Sequence, residues 1–416
     1  MARNVSPQDA SPRNVVFVAP FPTDITMRFV RAASRLPGIK LLGVVHTPPG
    51  GPDADVYADR VQVQNPLETA DLVAGVAELQ RRHGAPFRVL GILEAMQVQL
   101  AEVRRHFGVE GASVEVAETF RDKARMKAAL ARAGLPVARN RLLRGAADAR
   151  DFAHEVGFPM VLKPPAGFGA KGTYRIRALA ELGAALEGLR VSPQDPVLAE
   201  EFLTGREFSF ESITVGGVPR VQSVSHYLPS CLEVVENPWI QWCCLLPRDI
   251  SGPEYAGIKE LGQRAIAALG LTDGMTHMEW FQRPDGSLAI GEIAMRPPGA
   301  CISPMTGYAH DEDLFTAWVR AVVRSEFEGS WERKYAVGTA FLRGMGRGRV
   351  AGVTGIGDLQ RHLGPSVVEA RLPTLGAFKS DSYEGDGSIT VRDQSTEVVK
   401  AMLHTIIGKA RVYYAD

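Results

Sequence analysis

The pattern of hydrophobic and polar positions divides the chain into a regular N-terminal section and a mixed remainder. The N-terminal section alternates apolar runs, at residues 14–19, 40–45 and 87–93, with helical spacing at 25–36, 67–82 and 96–107. Apolar runs alternating with helices at short spacing predict βαβ units and an open α/β domain. No Gly-x-Gly-x-x-Gly follows the first strand, so a dinucleotide fold is not indicated.

Beyond residue 116 the pattern mixes strands and helices of irregular length. A basic helical pattern over 117–133 ends at Gly134-Leu-Pro136, a typical helix exit. Strand patterns follow at 160–163, 173–176, 197–202, 208–215, 276–282 and 287–294, and helical patterns at 178–189 and 252–269. The turn Arg283–Gly286 predicts that the last two strands form a hairpin. After residue 336 the chain is rich in glycine and short β-like runs, with a helix near 397–408.

Composition narrows the class of protein. A chain of 416 residues suits two to four domains, and its 47 basic and 47 acidic side chains give no net field for nucleic acid or an anionic membrane. We predict neither partner, because no segment is long and apolar enough to span a bilayer and the start lacks a signal peptide's apolar stretch. Four scattered cysteines without metal-ligand spacing suit a reducing compartment, so we expect a cytoplasmic protein with a disordered tail at 1–13.

The predicted hairpin carries two carboxylates that pairing would bring together. Glu279 lies in its first strand and Glu292 in its second, and adjacent buried carboxylates repel each other unless a cation lies between them. Mg²⁺ fits, because it accepts a few carboxylate oxygens and completes its octahedron with phosphate and water. Arg296 follows, where it could hold a phosphoryl group. The alternative is a pair of solvated edge residues, which the apolar residues around Glu292 disfavour.

Two further segments contain groups suited to a nucleotide. Lys163 ends an apolar strand, where a lysine is costly unless an anion meets it, and the glycine-rich segment 164–173 follows it. That segment lacks the Walker pattern and could equally be a flexible surface turn. At 198–207 a strand ends in Glu200-Glu-Phe-Leu203, whose backbone could bind an adenine edge, with Glu207 available for ribose hydroxyls. By itself this is an ordinary strand-to-turn junction.

The order of these elements resembles the ATP-grasp superfamily over residues 14–416. The nearest resemblance is to the carboxylate–amine ligase branch, such as bacterial L-amino acid ligases, and it is more distant to biotin carboxylase and N5-carboxyaminoimidazole ribonucleotide synthetase. It implies a multidomain α/β and α+β protein with an ATP-grasp fold. Its expected components are an open α/β pre-ATP-grasp domain at 14–116, an ATP-grasp domain at 117–335 with a lid at about 124–204, and a β-rich C-terminal subdomain at 336–416.

The resemblance also implies roles for individual residues. Groups expected to bind ATP are Lys123, Lys163, Gly167, Gly169, Lys171, Gly172, Glu200, Glu201, Phe202, Leu203 and Glu207. Expected Mg²⁺ (or Mn²⁺) ligands are Glu279 and Glu292. Groups expected to contact the substrate are His277, Arg296, Gly299 and Ala300, of which Arg296 acts with Lys163 in catalysis. Ala294 departs from the family pattern, since many members have a metal-binding Asn there.

The implied activity joins a small carboxylate to an amine through an acyl phosphate, on amino-acid-like substrates and in a possible homodimer. Two alternatives stay open: a bicarbonate-dependent carboxylase working through carboxyphosphate, and a regulator that binds ATP without catalysis. The glycine-rich loop and the segment 228–244 are candidate lids. In that segment Trp239 and Trp242 are either exposed or buried in the core.

Overall fold

The computed structural model describes residues 11–167, 172–237 and 239–415. The predicted site residues Gly169 and Lys171 lie outside these ranges, as do the first ten residues of the predicted tail. The elements of the N-terminal section are β1 (Arg13–Val18), α1 (Asp24–Ser34), β2 (Ile39–Val45), β3 (Asp59–Gln62), α2 (Thr69–His83), β4 (Arg88–Leu90) and α3 (Gln97–Phe107). The strands form a parallel sheet in the order β3-β2-β1-β4, which confirms the predicted open α/β topology.

The single helix predicted over 117–133 is wrong: the structure has α4 (Val114–Arg121) and α5 (Lys123–Arg132). Asp122 lies between them with an extended backbone, and its carboxylate accepts the N–H groups of Ala124 and Arg125 at 2.8 and 2.9 Å. This N-cap satisfies the first backbone N–H groups of a new helix. The hydrophobic pattern therefore continues through Asp122 although the chain forms two separate helices. The break makes Lys123 the first residue of α5.

A small subdomain follows, with β5 (Asn140–Leu143), α6 (Ala146–Val156), β6 (Met160–Lys163), β7 (Tyr174–Ile176), α7 (Leu179–Gly188) and β8 (Val197–Glu201). Its four strands are antiparallel in the order β5-β8-β6-β7. Apolar residues of α6 and α7, including Phe152 and Leu182, pack with Leu162 of the sheet. This packing fixes the strand that ends at Lys163.

The remaining elements are β9 (Arg206–Val215), β10 (Val218–Leu228), α8 (Cys231–Glu236), β11 (Trp242–Leu246), α9 (Pro253–Leu269), β12 (Gly274–Gln282), β13 (Leu288–Ala294), α10 (Ile302–His310), α11 (Leu314–Arg324), β14 (Ala336–Leu342), β15 (Arg349–Thr354), α12 (Ile356–Leu363), β16 (Val367–Arg371), β17 (Gly387–Asp393), α13 (Thr396–Lys409) and β18 (Arg411–Ala415). Eight strands form one antiparallel sheet in the order β13-β12-β9-β10-β11-β14-β17-β16. The C-terminal strands β14, β16 and β17 therefore continue the central sheet, while β15 and β18 pair separately. The domain boundaries stay predictions.

Alternation along the central strands gives the sheet two different faces. Phe208 and Phe210 of β9 pack with Trp280 of β12 against the apolar side of α9. Glu207 and Glu211, one position out of phase in β9, lie on the opposite face, over which α10 packs beside Trp242 and Phe341. Polar groups of β9 and β12 are thereby held together beside a buried aromatic cluster. Within the described ranges no helix is long and apolar enough to cross a membrane.

Candidate active site

Glu279 and Glu292 are register partners in the β12–β13 hairpin, which confirms the predicted pairing of the two carboxylates. Burial and the neighbouring charge of Glu292 raise the pKa of Glu279. Burial also opposes ionisation of Glu292, but Lys123 and Lys163 beside it outweigh that effect and hold its pKa below the usual value. Two carboxylates that repel each other across adjacent strands form a position suited to a divalent cation.

The protein groups fit a magnesium ion that completes its coordination from a bound ligand. No cluster of three or more histidine, cysteine, aspartate or glutamate side chains suited to a metal is present in the portion of the chain that the structure describes. Ala294, the register partner of His277, brings no ligand oxygen. Mg²⁺ is commonly held by one or two carboxylates plus substrate phosphates and water, and Glu279 and Glu292 match that donor set.

A buried cluster of two lysines and one glutamate lies beside the hairpin. The Nζ of Lys163 is 3.0 Å from Oε2 of Glu200, and the Nζ of Lys127 is 3.2 Å from Oε1. Lys127 also donates to the carbonyl of Gly291 at 2.8 Å. Burial opposes ionisation of Glu200, but the two ammonium groups outweigh it and lower its pKa. The Glu200 side chain thus orients Lys163. The sequence had predicted only that Glu200 lies in a segment whose backbone binds adenine, and it had not predicted this ion pair.

Lys127 was missed at the sequence level, although it follows Lys123 by four residues and so shares its helix face. The Nζ of Lys123 donates to Glu292 and to the carbonyl of Gly167, both at 2.8 Å. Arg121, also missed, donates to the same carbonyl at 3.1 Å. Two cations therefore hold the start of the glycine-rich loop next to the carboxylate pair. Gly172, at the other end of that loop, adopts a φ of +71°.

The predicted adenine segment lies at the cavity, but its first side chains have structural partners. The Glu201 carboxylate pairs with Arg139 at 2.7 Å and with Arg283 at 2.9 Å. Phe202 and Leu203 follow it along the cavity wall. Because the carboxylates of Glu200 and Glu201 are both engaged, the groups of this segment that stay available to a nucleotide are backbone atoms and the two apolar side chains.

Gly205 connects this segment to the central sheet at a point where no side chain fits. Its φ is +127°, and a Cβ there would lie 2.0 Å from the carbonyl oxygen of Gln282. The close approach places Glu207, at the start of β9, at the same cavity as the hairpin. Burial and the charge of Glu279 raise the pKa of Glu207 to about 8. Glu207 is thus a poorly solvated carboxyl beside the proposed cation position.

Arg296 is held by a residue from the N-terminal section that sequence reasoning missed. Its Nε donates to Oε2 of Glu94 at 3.0 Å, and Oε1 of Glu94 is 3.8 Å from Arg121. Glu94 lies just after β4, about 200 residues upstream, and nothing in its local sequence marks it. The guanidinium is therefore fixed at the wall of the cavity before any ligand arrives.

Gly299 and Ala300, which we expect to contact the substrate, also line the cavity. The N–H of Ala300 is already used, because it donates to Oε1 of Glu384 at 3.2 Å. Ala300 therefore holds a protein carboxylate, and the roles of Gly299 and Ala300 in substrate binding stay predictions.

His277 lies between two carboxylates of the polar sheet face. Its Nδ1 is 2.9 Å from Glu211 and its Nε2 is 3.9 Å from Glu279. Glu211 is almost fully buried and also accepts the hydroxyl of Ser225 at 3.0 Å. The histidine thus connects Glu279 to a buried hydrogen-bond network. This contact favours a structural role for His277, and its contact with the substrate stays a prediction.

One cavity of about 690 Å³ brings nearly all the predicted groups together. The predicted residues that line it are Lys123, Lys163, Gly167, Glu200, Glu201, Phe202, Leu203, Glu207, His277, Glu279, Glu292, Arg296, Gly299 and Ala300. Of the two tryptophans in the candidate lid segment, Trp239 is exposed, whereas Trp242 is buried at the end of the cavity. The volume suits a sizeable small-molecule ligand.

Comparison with known proteins agrees with this arrangement. The family model described as ATP-grasp domain matches residues 128–303. The L-arginine-specific L-amino acid ligase of Bacillus subtilis is 31% identical over 208 residues, which are 49% of this chain and 49% of that protein. The chain thus spans about half the length of this curated relative.

Solved structures show the fold over nearly the whole chain. An L-amino acid ligase from Bacillus licheniformis matches with a TM-score of 0.81 at 17% identity, covering 98% of this chain and 100% of that one. The biotin carboxylase domain dimer of the 2-oxoglutarate carboxylase from Hydrogenobacter thermophilus, in complex with MgADP and bicarbonate, has a TM-score of 0.71 at 17% identity. That match covers 97% of this chain and 91% of the other.

Proposed function

We propose, on the premise that this chain carries an ATP-grasp domain, that it is an ATP-dependent ligase joining a small carboxylate to an amine. The observation that carries the proposal is the facing pair of Glu279 and Glu292 in one cavity with Lys123, Lys163 and Arg296. Carboxylates for a divalent cation and fixed basic groups for phosphoryl oxygens are the components that phosphoryl transfer needs.

Glu279 and Glu292 would hold Mg²⁺ or Mn²⁺, which supplies charge neutralisation to the phosphates of ATP when bound. Lys163 enters the site already oriented by its ion pair with Glu200, and Lys123 is fixed between Glu292 and the glycine-rich loop. Groups that are positioned beforehand stabilise developing charge without reorganising during the reaction. The basic residues thus bind and align the phosphoryl group that passes to the substrate carboxylate.

Arg296 contacts the substrate carboxylate that accepts the phosphoryl group. Its pairing with Glu94 fixes the guanidinium where it can meet both the substrate carboxylate and the transferring group. Attack of a carboxylate oxygen on the γ-phosphorus gives an acyl phosphate and ADP. The amine then attacks the acyl carbon, an amide forms, and phosphate leaves. Holding the reactants together makes both steps effectively unimolecular.

We also propose that the protein is located in the cytoplasm. The four cysteines of the chain are free thiols in the structure. Thiols persist in reducing compartments, where ATP is also available. We expect the substrates to be small molecules, and we propose that the protein forms a homodimer.

The direct test measures phosphate release from Mg-ATP across a panel of amino acids and carboxylic acids, singly and in pairs. The proposal expects ADP and phosphate in equal amounts, more with a productive pair than with either member alone, together with an amide product. Glu292→Gln should abolish turnover. Turnover that requires bicarbonate and no other acid would support a carboxylase instead, and Mg-ATP binding without ADP formation across the panel would support a regulator.

A further inference from the structure

One region of the cavity has aromatic walls. Tyr227, Trp242 and Tyr383 line it, and the ring centroid of Trp242 lies 5.9 Å from that of Tyr227 and 4.9 Å from that of Tyr383. Trp242 is fully buried and stacks on Phe341, so the wall is fixed by core packing. Aromatic faces carry partial negative charge and attract cations.

Glu384 follows Tyr383 directly in the chain and adds a carboxylate next to this aromatic region. Five glutamates that line the cavity form ion pairs with lysine or arginine: Glu94, Glu200, Glu201, Glu236 and Glu292. Glu384 has no such ion pair with any residue in the described ranges. Burial raises its pKa, although the N–H of Ala300 and the charge of Arg371 oppose the effect. A carboxylate in these surroundings favours a cationic ligand.

The position of Glu384 is set by an unusual backbone. Ala300 and Cys301 both have positive φ angles, +52° and +60°, in the left-handed region that non-glycine residues rarely adopt. This turn aims the Ala300 N–H at Oε1 of Glu384, and a Cβ on Gly299 would lie 3.6 Å from the same oxygen. Among the residues that the structure describes, none donates a hydrogen bond to Oε2. One oxygen is thus held beside Gly299 and Ala300, which line the cavity, and the other can accept a hydrogen bond from a ligand.

We propose that Glu384 binds the non-reacting α-ammonium group of the carboxylate substrate, with the ring of Tyr383, which Trp242 supports from the core, beside it. The inference rests on the proposed ligase function and names the residue that makes the site prefer α-amino acids. In an amino acid the ammonium nitrogen lies about 2.5 Å from the carboxylate carbon, from standard bond lengths. Arg296 and Ala300 line the same cavity, and Ala300 holds Glu384, so a substrate whose carboxylate meets Arg296 can present its ammonium group to Glu384.

The test compares each amino acid with the acid that lacks only the ammonium group. Suitable pairs are L-alanine and propionate, L-leucine and 4-methylpentanoate, L-phenylalanine and 3-phenylpropionate, and L-arginine and 5-guanidinopentanoate. Calorimetric binding in the presence of Mg-ADP is measured first, because it does not depend on turnover, and KM and kcat for phosphate release follow. The variants are Glu384→Gln, which keeps an acceptor for Ala300, and Glu384→Asp; the control is Asp381→Asn, an exposed residue of the same loop.

The wild-type protein should bind at least one amino acid more tightly than its partner acid, and Glu384→Gln should weaken that binding about 10- to 100-fold, as expected for a lost charge-assisted contact. Affinity for the partner acid and KM for ATP should stay within about twofold, Glu384→Asp should restore some of the preference, and Asp381→Asn should leave it intact. Equal losses for both members of a pair, or no preference in the wild-type protein, would overturn the inference. A wild-type protein that binds amino acids through Glu384 but releases no phosphate would contradict the ligase proposal and leave this binding role standing.

Discussion

Replacing Glu200 with glutamine removes the carboxylate that lies between Lys127 and Lys163. The two Nζ–Oε distances are 3.2 and 3.0 Å, and the side chains of Lys127 and Glu200 are only 1% and 8% exposed. The amide oxygen can accept from one ammonium group, but its NH₂ then faces the other. Breaking a buried ion pair in this way costs about 3–5 kcal/mol, because an uncompensated charge stays buried.

We expect this loss of free energy to destabilise mainly the small subdomain that contains β6 and β8. Native-state hydrogen exchange followed by mass spectrometry reports opening free energies segment by segment, which suits a change confined to one subdomain. Protection of the β6 and β8 amides should fall roughly 10²- to 4 × 10³-fold, up to the limit set by the subdomain's own opening. KM for ATP should also rise, since Lys163 loses the group that orients it.

A matched control lies in the same subdomain. Glu155 pairs with Arg141 at 2.6 Å, but the two side chains are 46% and 41% exposed. A solvated pair contributes about 0–1 kcal/mol, so Glu155→Gln should change protection less than about fivefold. If Glu200→Gln loses no more protection than Glu155→Gln, the buried cluster does not stabilise the subdomain and the reasoning is refuted.

The remaining predictions concern pH and one glycine. Because the pKa of Glu207 is raised to about 8 in the folded state, its contribution to stability is present below its unfolded pKa and is lost as pH rises through 8. Glu207→Gln without metal should therefore raise Tm by several degrees more at pH 9 than at pH 5; an equal shift at both pH values would exclude this titration. Gly205→Ala places a Cβ 2.0 Å from a carbonyl oxygen at a φ of +127°, so we expect a loss of about 3 kcal/mol or more in chemical denaturation and weaker nucleotide binding. Gly183→Ala, inside α7 with open space around it, should instead be neutral or stabilising by about 0.5–1 kcal/mol; similar losses at both glycines would argue against the clash.

Local signals in the sequence were enough to predict the hairpin and its two carboxylates. The turn Arg283–Gly286 sets the first pairs of the hairpin, from Gln282 opposite Leu288 to Trp280 opposite Ile290, and this register alone would place Glu279 opposite Gly291. A bulge between Glu279 and Trp280 shifts the register by one residue and brings Glu279 opposite Glu292, a detail that the sequence did not indicate. Lys163 was predictable for a similar reason, since a lysine that ends an apolar strand needs a partner. The open α/β topology of the N-terminal section followed from strands and helices at short spacing, which permit few topologies, whereas the ATP-grasp fold followed from the resemblance.

The groups that hold the site in place were not predictable, because their partners are distant in sequence. Glu94 meets Arg296 across about 200 residues, and Glu384 meets Ala300 across 84. No local pattern distinguishes these glutamates from exposed ones. Glu200 was placed at the site for its backbone, whereas the order β5-β8-β6 directs its side chain to two lysines. Strand pairing decided that contact.

The central claim is that a substrate carboxylate takes the γ-phosphoryl group of ATP before an amine replaces it. The measurement that tests it most directly uses a donor labelled with ¹⁸O in both carboxylate oxygens and follows the label by mass spectrometry. We predict one ¹⁸O in each released phosphate and one in the amide, with no product from Glu292→Gln. Unlabelled phosphate, or label transferred to AMP, would contradict it.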